Sequence, residues 1–382
     1  MAIITGLAGL ALIFVMLMEG FEAMVWPRRV TRQYRFTRLF YRYTWVAWVA
    51  VARWFFAPGK RRETYLSLFG PLSLLTIFAL WVSGIIIGFG ILHWSLATAL
   101  DRTEAPVDLP TYLYFSGQTF FTLGFGEVTP AHGLGRFLAV FESGMGFGFM
   151  ALIIGYLPVL YQAFSRREVT ISMLDARAGS PPSAAQLLLR LANSRQISAV
   201  GPFLAEWERW AAEILESHLS FPVLSYYRSQ HDNQSWLAAL VTVLDTCTFL
   251  IVGVKGADPY QAQLTFAMAR HALVDLALIF HTPPKNSDQD RLPFEQLHKL
   301  RMELTEAGLE MEDGPDVDAK LAQLRRLYEP FAQALAEFFQ FNLPPIILEK
   351  ARADNWQTSA WTRRAAGIGR LFAKADGDEH FD

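Results

Sequence analysis

The sequence predicts an all-α membrane protein with three transmembrane helices, a re-entrant loop between the second and the third, and a mainly helical domain outside the membrane. Two observations favour this fold class. The 382 residues are 52% hydrophobic with a mean hydropathy of +0.21, which is more apolar than a soluble globular protein usually is. Long apolar segments lie early in the chain, whereas from Ser165 onward apolar residues recur every three or four positions between breaks such as GSPP and NLPP.

The transmembrane helices are predicted from three apolar segments. A bilayer core of about 30 Å takes about 20 helical residues to cross. The segments that meet this length are residues 2–26, 69–96 and 137–162. The first has no basic residue ahead of its apolar part, which a secretory signal would carry, so we expect it to be retained as a helix.

Arginine and lysine predict the orientation of these helices. Ten basic residues and no acidic one lie within residues 27–62, whereas the loop of residues 93–135 has one arginine and four acids. Basic loops stay on the cytoplasmic side of a membrane. We therefore expect a multi-pass protein of a bacterial-type inner (plasma) membrane, with its amino terminus outside and its helical domain in the cytoplasm.

Residues 36–57, within the basic loop, leave two alternatives open. Arg35, Arg38, Arg42 and Arg53 fall on one helical face, which favours an amphipathic helix lying in the inner interface of the bilayer. The other alternative is a fourth crossing, which would place a basic stretch outside, against the charge rule. A voltage-sensing helix would further need companion helices with countercharges, which the sequence lacks.

The re-entrant loop is predicted from residues 108–130, which are too short and broken to span and too apolar for a surface loop. Asp108 is a candidate N-cap and Pro110 suits a first helical turn, so we expect a short helix that dips into the membrane. Gly124 and Gly126 interrupt that helix. Non-helical backbone at membrane depth is tolerated only where protein or a watery path satisfies its polar groups. Carbonyls that face such a path form an ion-coordination site.

The sequence TLGFGE, residues 122–127, resembles the TVGYGD signature of potassium channels. The order of helix, re-entrant helix, signature and helix is similar to the two-helix pore module of that family, over roughly residues 69–167. The resemblance implies a re-entrant pore loop whose selectivity filter binds dehydrated potassium ions through the backbone carbonyls of Thr122, Leu123, Gly124 and Phe125 and the Thr122 hydroxyl. Gly126 would close the turn at the outer mouth. Since one such segment cannot surround an ion, a homotetramer is implied.

The chain departs from the family pattern around this filter. Phe121 stands where the family usually has a second threonine, and Glu127 replaces the usual aspartate. The tryptophans that commonly brace that acid are missing. Tyr112, Tyr114 and Gln118 are the candidates to support the filter in their place.

The third crossing contains four glycines and one proline, and each is a place where a membrane helix can bend. By the resemblance, Gly146 is the first candidate for a gating hinge, ahead of Gly144 and Gly148. Near the expected constriction, the candidates for a gate that closes by dewetting are Leu157, Pro158, Tyr161 and Phe164. The alternative is that the glycines serve close helix packing, since Gly144 and Gly148 are four apart. Glu142 is expected to be a hydrogen-bond or ion-pair partner behind the filter.

The helical domain has one candidate ligand site. Its polar and aromatic residues are His218, Tyr226, Tyr227, Arg228, His231 and Asp232. Arg228 would meet an anion, and the histidines would sense pH or bind a metal, although their spacing is not that of a metal site. The alternative is a helix junction with satisfied polar groups. Neither a GxGxxG nucleotide unit nor a cyclic-nucleotide barrel is evident, so the ligand or effector is unknown.

These patterns divide the chain into four segments and predict its function. The segments are an extra amino-terminal helix (residues 1–26), a basic loop (27–66), a pore module (67–165) and a regulatory domain (166–382). We expect potassium-selective, passive conduction that this domain gates, without an organic cofactor or enzymatic chemistry. The net charge of −2 argues against a nucleic-acid partner. The alternative function is a non-conducting membrane receptor built on a channel-like scaffold.

Overall fold

The computed structural model describes residues 1–26, 36–102, 107–194, 197–231, 233–257, 259–287 and 289–348. The chain divides into two compact units, Met1–Gln162 and Ala163–Asp382. The predicted all-α fold is confirmed, because the elements of the described residues are helices apart from one short pair of strands and an isolated bridge.

The first unit is built from long apolar helices. Its elements are α1 (Ala2–Met24), α2 (Phe36–Phe55), α3 (Lys60–Ser67), α4 (Phe69–Ser95), β1 (Leu100–Arg102), α5 (Leu109–Phe120), β2 (Val128–Pro130) and the first part of α6 (Gly133–Ala178). Helix α1 packs closely along α4. A side chain at Gly9 would lie 2.8 Å from the Gly88 carbonyl oxygen, so the two backbones meet where neither residue has a Cβ.

Four helices of the described residues are long and apolar enough to cross a membrane, judged by length and composition. They lie within Ala2–Met24, Lys60–Ser95, Gly133–Ala178 and Pro259–Phe280. The first three include the three predicted crossings. The fourth is an addition to the prediction, and it belongs to the second unit, where its apolar face packs against two neighbouring helices.

Helix α2 is not among these candidate spans. Its buried residues, Trp45, Val49 and Ala52, lie four and three positions apart and so form one face. The Trp45 ring packs on Phe69 with the ring centroids 4.8 Å apart. The carboxylate of Glu19 accepts hydrogen bonds from the first backbone N–H groups of α2, at 2.9 and 3.0 Å, and so caps the helix. Arg35 lies outside the described residues.

The second unit is a helical bundle around one apolar helix. After the end of α6 it contains α7 (Ala184–Asn193), α8 (Val200–Ser220), α9 (Trp236–Val252), α10 (Pro259–Phe280), α11 (Phe294–Glu306), α12 (Pro315–Arg326) and α13 (Glu329–Phe339). Helix α9 is buried on nearly every side, because α7, α10, α12 and α13 pack around it. Its one acid, Asp245, is paired with Arg291 at 2.7 Å. The apolar run around Asp245 is therefore a core helix, as the sequence predicts.

Candidate functional site

The re-entrant helix is α5, which begins where its cap predicts. The Asp108 carboxylate accepts hydrogen bonds from the Thr111 backbone N–H at 3.1 Å and from the Thr111 hydroxyl at 2.6 Å, and Pro110 lies in the first turn. Along its length α5 packs against α4. The Ser116 hydroxyl oxygen lies 2.8 Å from the Ile86 carbonyl oxygen, a contact that places α5 beside that helix.

The TLGFGE segment, residues 122–127, follows α5 directly. Its backbone alternates in hand: φ is 55° at Thr122, 64° at Gly124 and 79° at Gly126, whereas the intervening Leu123 and Phe125 do not have positive φ. In an ordinary strand successive carbonyls point to opposite sides. Alternating the sign of φ allows successive carbonyls to point to the same side. Positive φ is strained for a residue with a Cβ, so it favours glycine at positions 124 and 126, although Thr122 also adopts it.

The described residues of one chain leave the TLGFGE segment uncovered. The side chains of Leu123 and Phe125 are 53% and 61% exposed. No atom lies within 4 Å of the position that a Cβ would take at Gly124 or at Gly126. Exposed apolar side chains of this size mark a surface that contacts protein or lipid.

Two of the predicted filter-support candidates hold the carboxyl end of this segment. The Tyr114 hydroxyl donates to the Glu127 carboxylate at 3.2 Å, and the Gln118 side-chain amide donates to the Val128 carbonyl at 2.9 Å. The third candidate, Tyr112, donates instead to the Thr98 carbonyl at 2.8 Å. Strand β2 pairs with β1 immediately after the segment, and α5 ends immediately before it. Regular structure therefore flanks the segment on both sides.

A buried polar cluster behind α5 connects three helices, and the sequence pointed only to one of its members. Glu142 of α6 is fully buried and accepts a hydrogen bond from the Ser116 hydroxyl. Its second oxygen lies 3.8 Å from His93 Nε2 of α4, and His93 Nδ1 lies 3.0 Å from the Thr98 hydroxyl. Ser116 and His93 are the residues that sequence reasoning missed. Both are polar residues within apolar segments. Polar residues of membrane helices usually face protein, and this was the signal by which they could have been found.

The hinge candidate Gly146 is a point of close packing in the structure. A Cβ at Gly146 would lie 2.3 Å from the Phe120 carbonyl oxygen, at the end of α5. No atom of the described residues lies within 4 Å of the position that a Cβ would take at Gly144 or Gly148. Within one chain, close packing is therefore found at Gly146 and not at Gly144 and Gly148, the pair that is four residues apart.

The gate candidates lie on a helix that runs without interruption. Helix α6 extends over 46 residues, past the end of the predicted crossing and into the second unit, with Pro158 inside it. Near this proline, Leu157 is 37% and Tyr161 66% exposed. The helix continues because the residues after the apolar part, such as Arg166 and Arg167, are good helix formers.

The residues of the predicted ligand site in the second unit have separate partners. His218 is fully buried, with its ring 5.3 Å from that of Trp236. Arg228 donates to the Phe339 carbonyl at 2.6 Å and lies over the Phe341 ring. His231 is exposed. These contacts favour the alternative of a helix junction with satisfied polar groups. Asp232 lies outside the described residues.

Comparisons with known proteins agree with the pore geometry. Residues 75–162 match the family model described as "Ion channel". An uncharacterized membrane protein of Bacillus subtilis (strain 168), YdjJ, is 23% identical to this chain over 239 residues, which are 62% of this chain and 69% of the relative. Because this length exceeds that of the Met1–Gln162 unit, the similarity extends into the second unit. No solved structure matches the chain.

The family match covers α5, the TLGFGE segment and most of the two long helices beside them. It supports conduction of ions and not catalysis. The chain is therefore a membrane protein, and the predicted resemblance to a two-helix channel pore module is confirmed over residues 75–162.

Proposed function

We propose that the protein is a potassium-selective channel whose filter is formed by the TLGFGE segments of four chains. The observation that carries this proposal is the alternating hand of the backbone at Thr122, Gly124 and Gly126. In this proposal it aligns the carbonyl oxygens in a row, with the Thr122 hydroxyl at the inner end of that row. Such oxygens replace the water shell of a dehydrated potassium ion.

The position of α5 supports a cation in preference to an anion. The carboxyl end of a helix carries a partial negative charge. Helix α5 ends at Phe120, immediately before the filter, so its negative end faces the same region as the carbonyl row. The carboxylate of Glu127, the last residue of the segment, adds negative charge at the other end.

Four chains are needed because the ion must be surrounded. One TLGFGE segment supplies carbonyls on one side only, and closed cyclic symmetry supplies the other three. The exposed side chains of Leu123 and Phe125 would then be covered by neighbouring chains. The proposed ligands of the ion are the carbonyls of Thr122, Leu123, Gly124 and Phe125, with Gly126 at the outer mouth and with Glu127, Tyr114 and Gln118 as support.

Gating would reach the pore through α6. In this proposal the helix carries the gate residues Leu157, Pro158 and Tyr161, and Gly146 is where it meets the filter-bearing part of the chain. The Ala163–Asp382 unit would lie in the cytoplasm, with the amino terminus outside, and would respond to a cytoplasmic ligand or effector. The continuity of α6 from Gly133 to Ala178 supports this arrangement.

The test is ion flux into liposomes that contain the purified protein. We expect potassium to enter and sodium to be excluded.

Gly124→Ala should abolish the flux, because φ of 64° at this position is strained for any residue with a Cβ. The matched control is Gly133→Ala, a glycine with equally open surroundings whose φ is not positive, which should conduct like the wild type. Selective current that persists in Gly124→Ala would contradict the filter assignment. A folded wild-type protein without flux under any condition would favour the receptor alternative.

A further inference from the structure

The second unit holds the continuation of α6 through one buried arginine. Arg167 is 3% exposed although it carries a positive charge. Its guanidinium donates to the Leu224 carbonyl at 2.8 Å, to the Tyr227 carbonyl at 2.9 Å and to the Glu168 carboxylate at 2.9 Å. The two carbonyls belong to the turn after α8, so the arginine fastens α6 to a segment more than fifty residues away.

A neutral histidine completes this contact. His218 Nδ1 lies 2.9 Å from the Ile214 carbonyl oxygen, which can only accept, so Nδ1 carries the proton. The other ring nitrogen, Nε2, is then an acceptor and lies 3.4 Å from Arg167 Nη1. Burial and the Arg167 charge both lower the pKa of His218 well below its ordinary value. The imidazole therefore accepts from the guanidinium and does not repel it.

We propose that Arg167 is the positioning residue through which the Ala163–Asp382 unit sets the position of the gate-bearing part of α6. The proposal rests on the proposed channel function. Tyr161 precedes Arg167 by six residues, which is about 9 Å along a helix, and Leu157 precedes it by ten, about 15 Å. A continuous helix passes rotation or displacement at Arg167 to Tyr161, because the turns between them contain neither glycine nor proline and their backbone hydrogen bonds resist bending.

The geometry requires an arginine. Its planar fork carries five donors in fixed directions and reaches two carbonyls, a carboxylate and an imidazole at once. The charged and titratable groups that the described contacts place at this site are Arg167, Glu168 and His218, and the Glu168 carboxylate also accepts from the Ser229 hydroxyl at 3.2 Å. A lysine keeps the charge but presents a single ammonium, so it satisfies fewer of these acceptors.

The experiment compares Arg167→Met with Arg166→Met in the full-length protein. Arg166 is the adjacent residue on the same helix and is exposed, so the control removes the same charge without touching the contact. Two measurements are made in liposomes. One is basal potassium flux, and the other is the distance between subunits, measured by electron paramagnetic resonance from a spin label at Val159→Cys, an exposed position near the gate.

We expect Arg167→Met to change basal flux by about tenfold or more and to broaden the distances between labels, because α6 is no longer held at one position. The flux and the label distances of Arg167→Lys should lie between those of the wild type and those of Arg167→Met. Arg166→Met should match the wild type in both measurements. Tryptophan fluorescence during thermal unfolding checks that the second unit is folded; if Arg167→Met is not folded, Arg167→Lys carries the same comparison.

The proposal is overturned if a folded Arg167 variant has the flux and label distances of the wild type, or if Arg166→Met shifts them equally. The experiment distinguishes a failure of this proposal from a failure of the channel assignment. A wild type without potassium flux would overturn the channel assignment, while the label distances would still report whether Arg167 fixes α6.

Discussion

Glu142 and Asp245 are acids buried in different units, and each has partners from distant parts of the chain. Glu142 accepts from Ser116, 26 residues away. Asp245 accepts from Arg291 at 2.7 Å and from the Tyr328 hydroxyl at 2.5 Å. Removing one partner of a buried charged pair such as Asp245 and Arg291 is strongly destabilising, typically by about 3–5 kcal/mol. At the residue scale such acids therefore specify which helices meet.

His218 gives a pH dependence to the stability of the protein. Burial, together with the Arg167 charge, lowers the pKa of His218 in the folded state, so the unfolded chain binds a proton more readily. The stability that this residue contributes is fully present above about pH 6.5, its unfolded pKa, and falls as the pH drops below that value. We expect a loss of up to about 1.4 kcal/mol per pH unit from this one group.

The measurement is the free energy of unfolding of the full-length protein between about pH 7 and about pH 5, the range in which an unperturbed histidine titrates. His218→Gln, which cannot take up a proton, should reduce the slope. His231→Gln is the control, because His231 is exposed. Equal slopes for the wild type and His218→Gln would show that His218 is not held neutral by its surroundings.

At the scale of elements, α6 approaches α5 closely enough at Gly146 to exclude a Cβ. We expect Gly146→Ala to destabilise the protein by about 1–3 kcal/mol and to reduce flux, because the new methyl would lie 2.3 Å from the Phe120 carbonyl oxygen and must displace the end of α5. Thermal unfolding and liposome flux measure the two effects. Gly155→Ala, on the same helix with no atom within 4 Å, is the control.

The same variants separate packing from hinge bending at Gly146. If Gly146 acts only as a hinge, Gly146→Ala should change gating while the unfolding midpoint and ion selectivity stay as in the wild type. If packing dominates, the midpoint should fall together with selectivity, since α5 positions the filter. An unchanged midpoint in Gly146→Ala would contradict the close contact with Phe120.

At the scale of the whole molecule, the number of chains around the filter is testable by mixing. If four chains form one pore and one Gly124→Ala chain disables it, equal mixing of wild-type and variant chains should leave about 6% of the flux, the chance that all four chains are wild type. Native mass measurement of the mixed sample checks the subunit number. Flux near half of the wild-type value would mean that each chain conducts alone, which the proposal does not allow.

Much of this architecture could be predicted from the sequence because it depends on local patterns. Apolar length predicted the membrane helices, and Asp108 with Pro110 predicted the start of α5. The spacing of Gly124 and Gly126 indicated a backbone that no regular element allows. These features involve residues a few positions apart, so the physical cause is visible in the sequence itself.

Only the tertiary structure decided the contacts between distant residues. It placed Ser116 and His93 beside Glu142, put Gly146 against Phe120 and buried Arg167 beside His218. Each of these pairings is set by how helices pack, and packing depends on the shape of both surfaces at once. The sequence by itself therefore determined the membrane class, the helices and the position of the TLGFGE segment, whereas the groups that hold this segment and α6 in place were decided by packing.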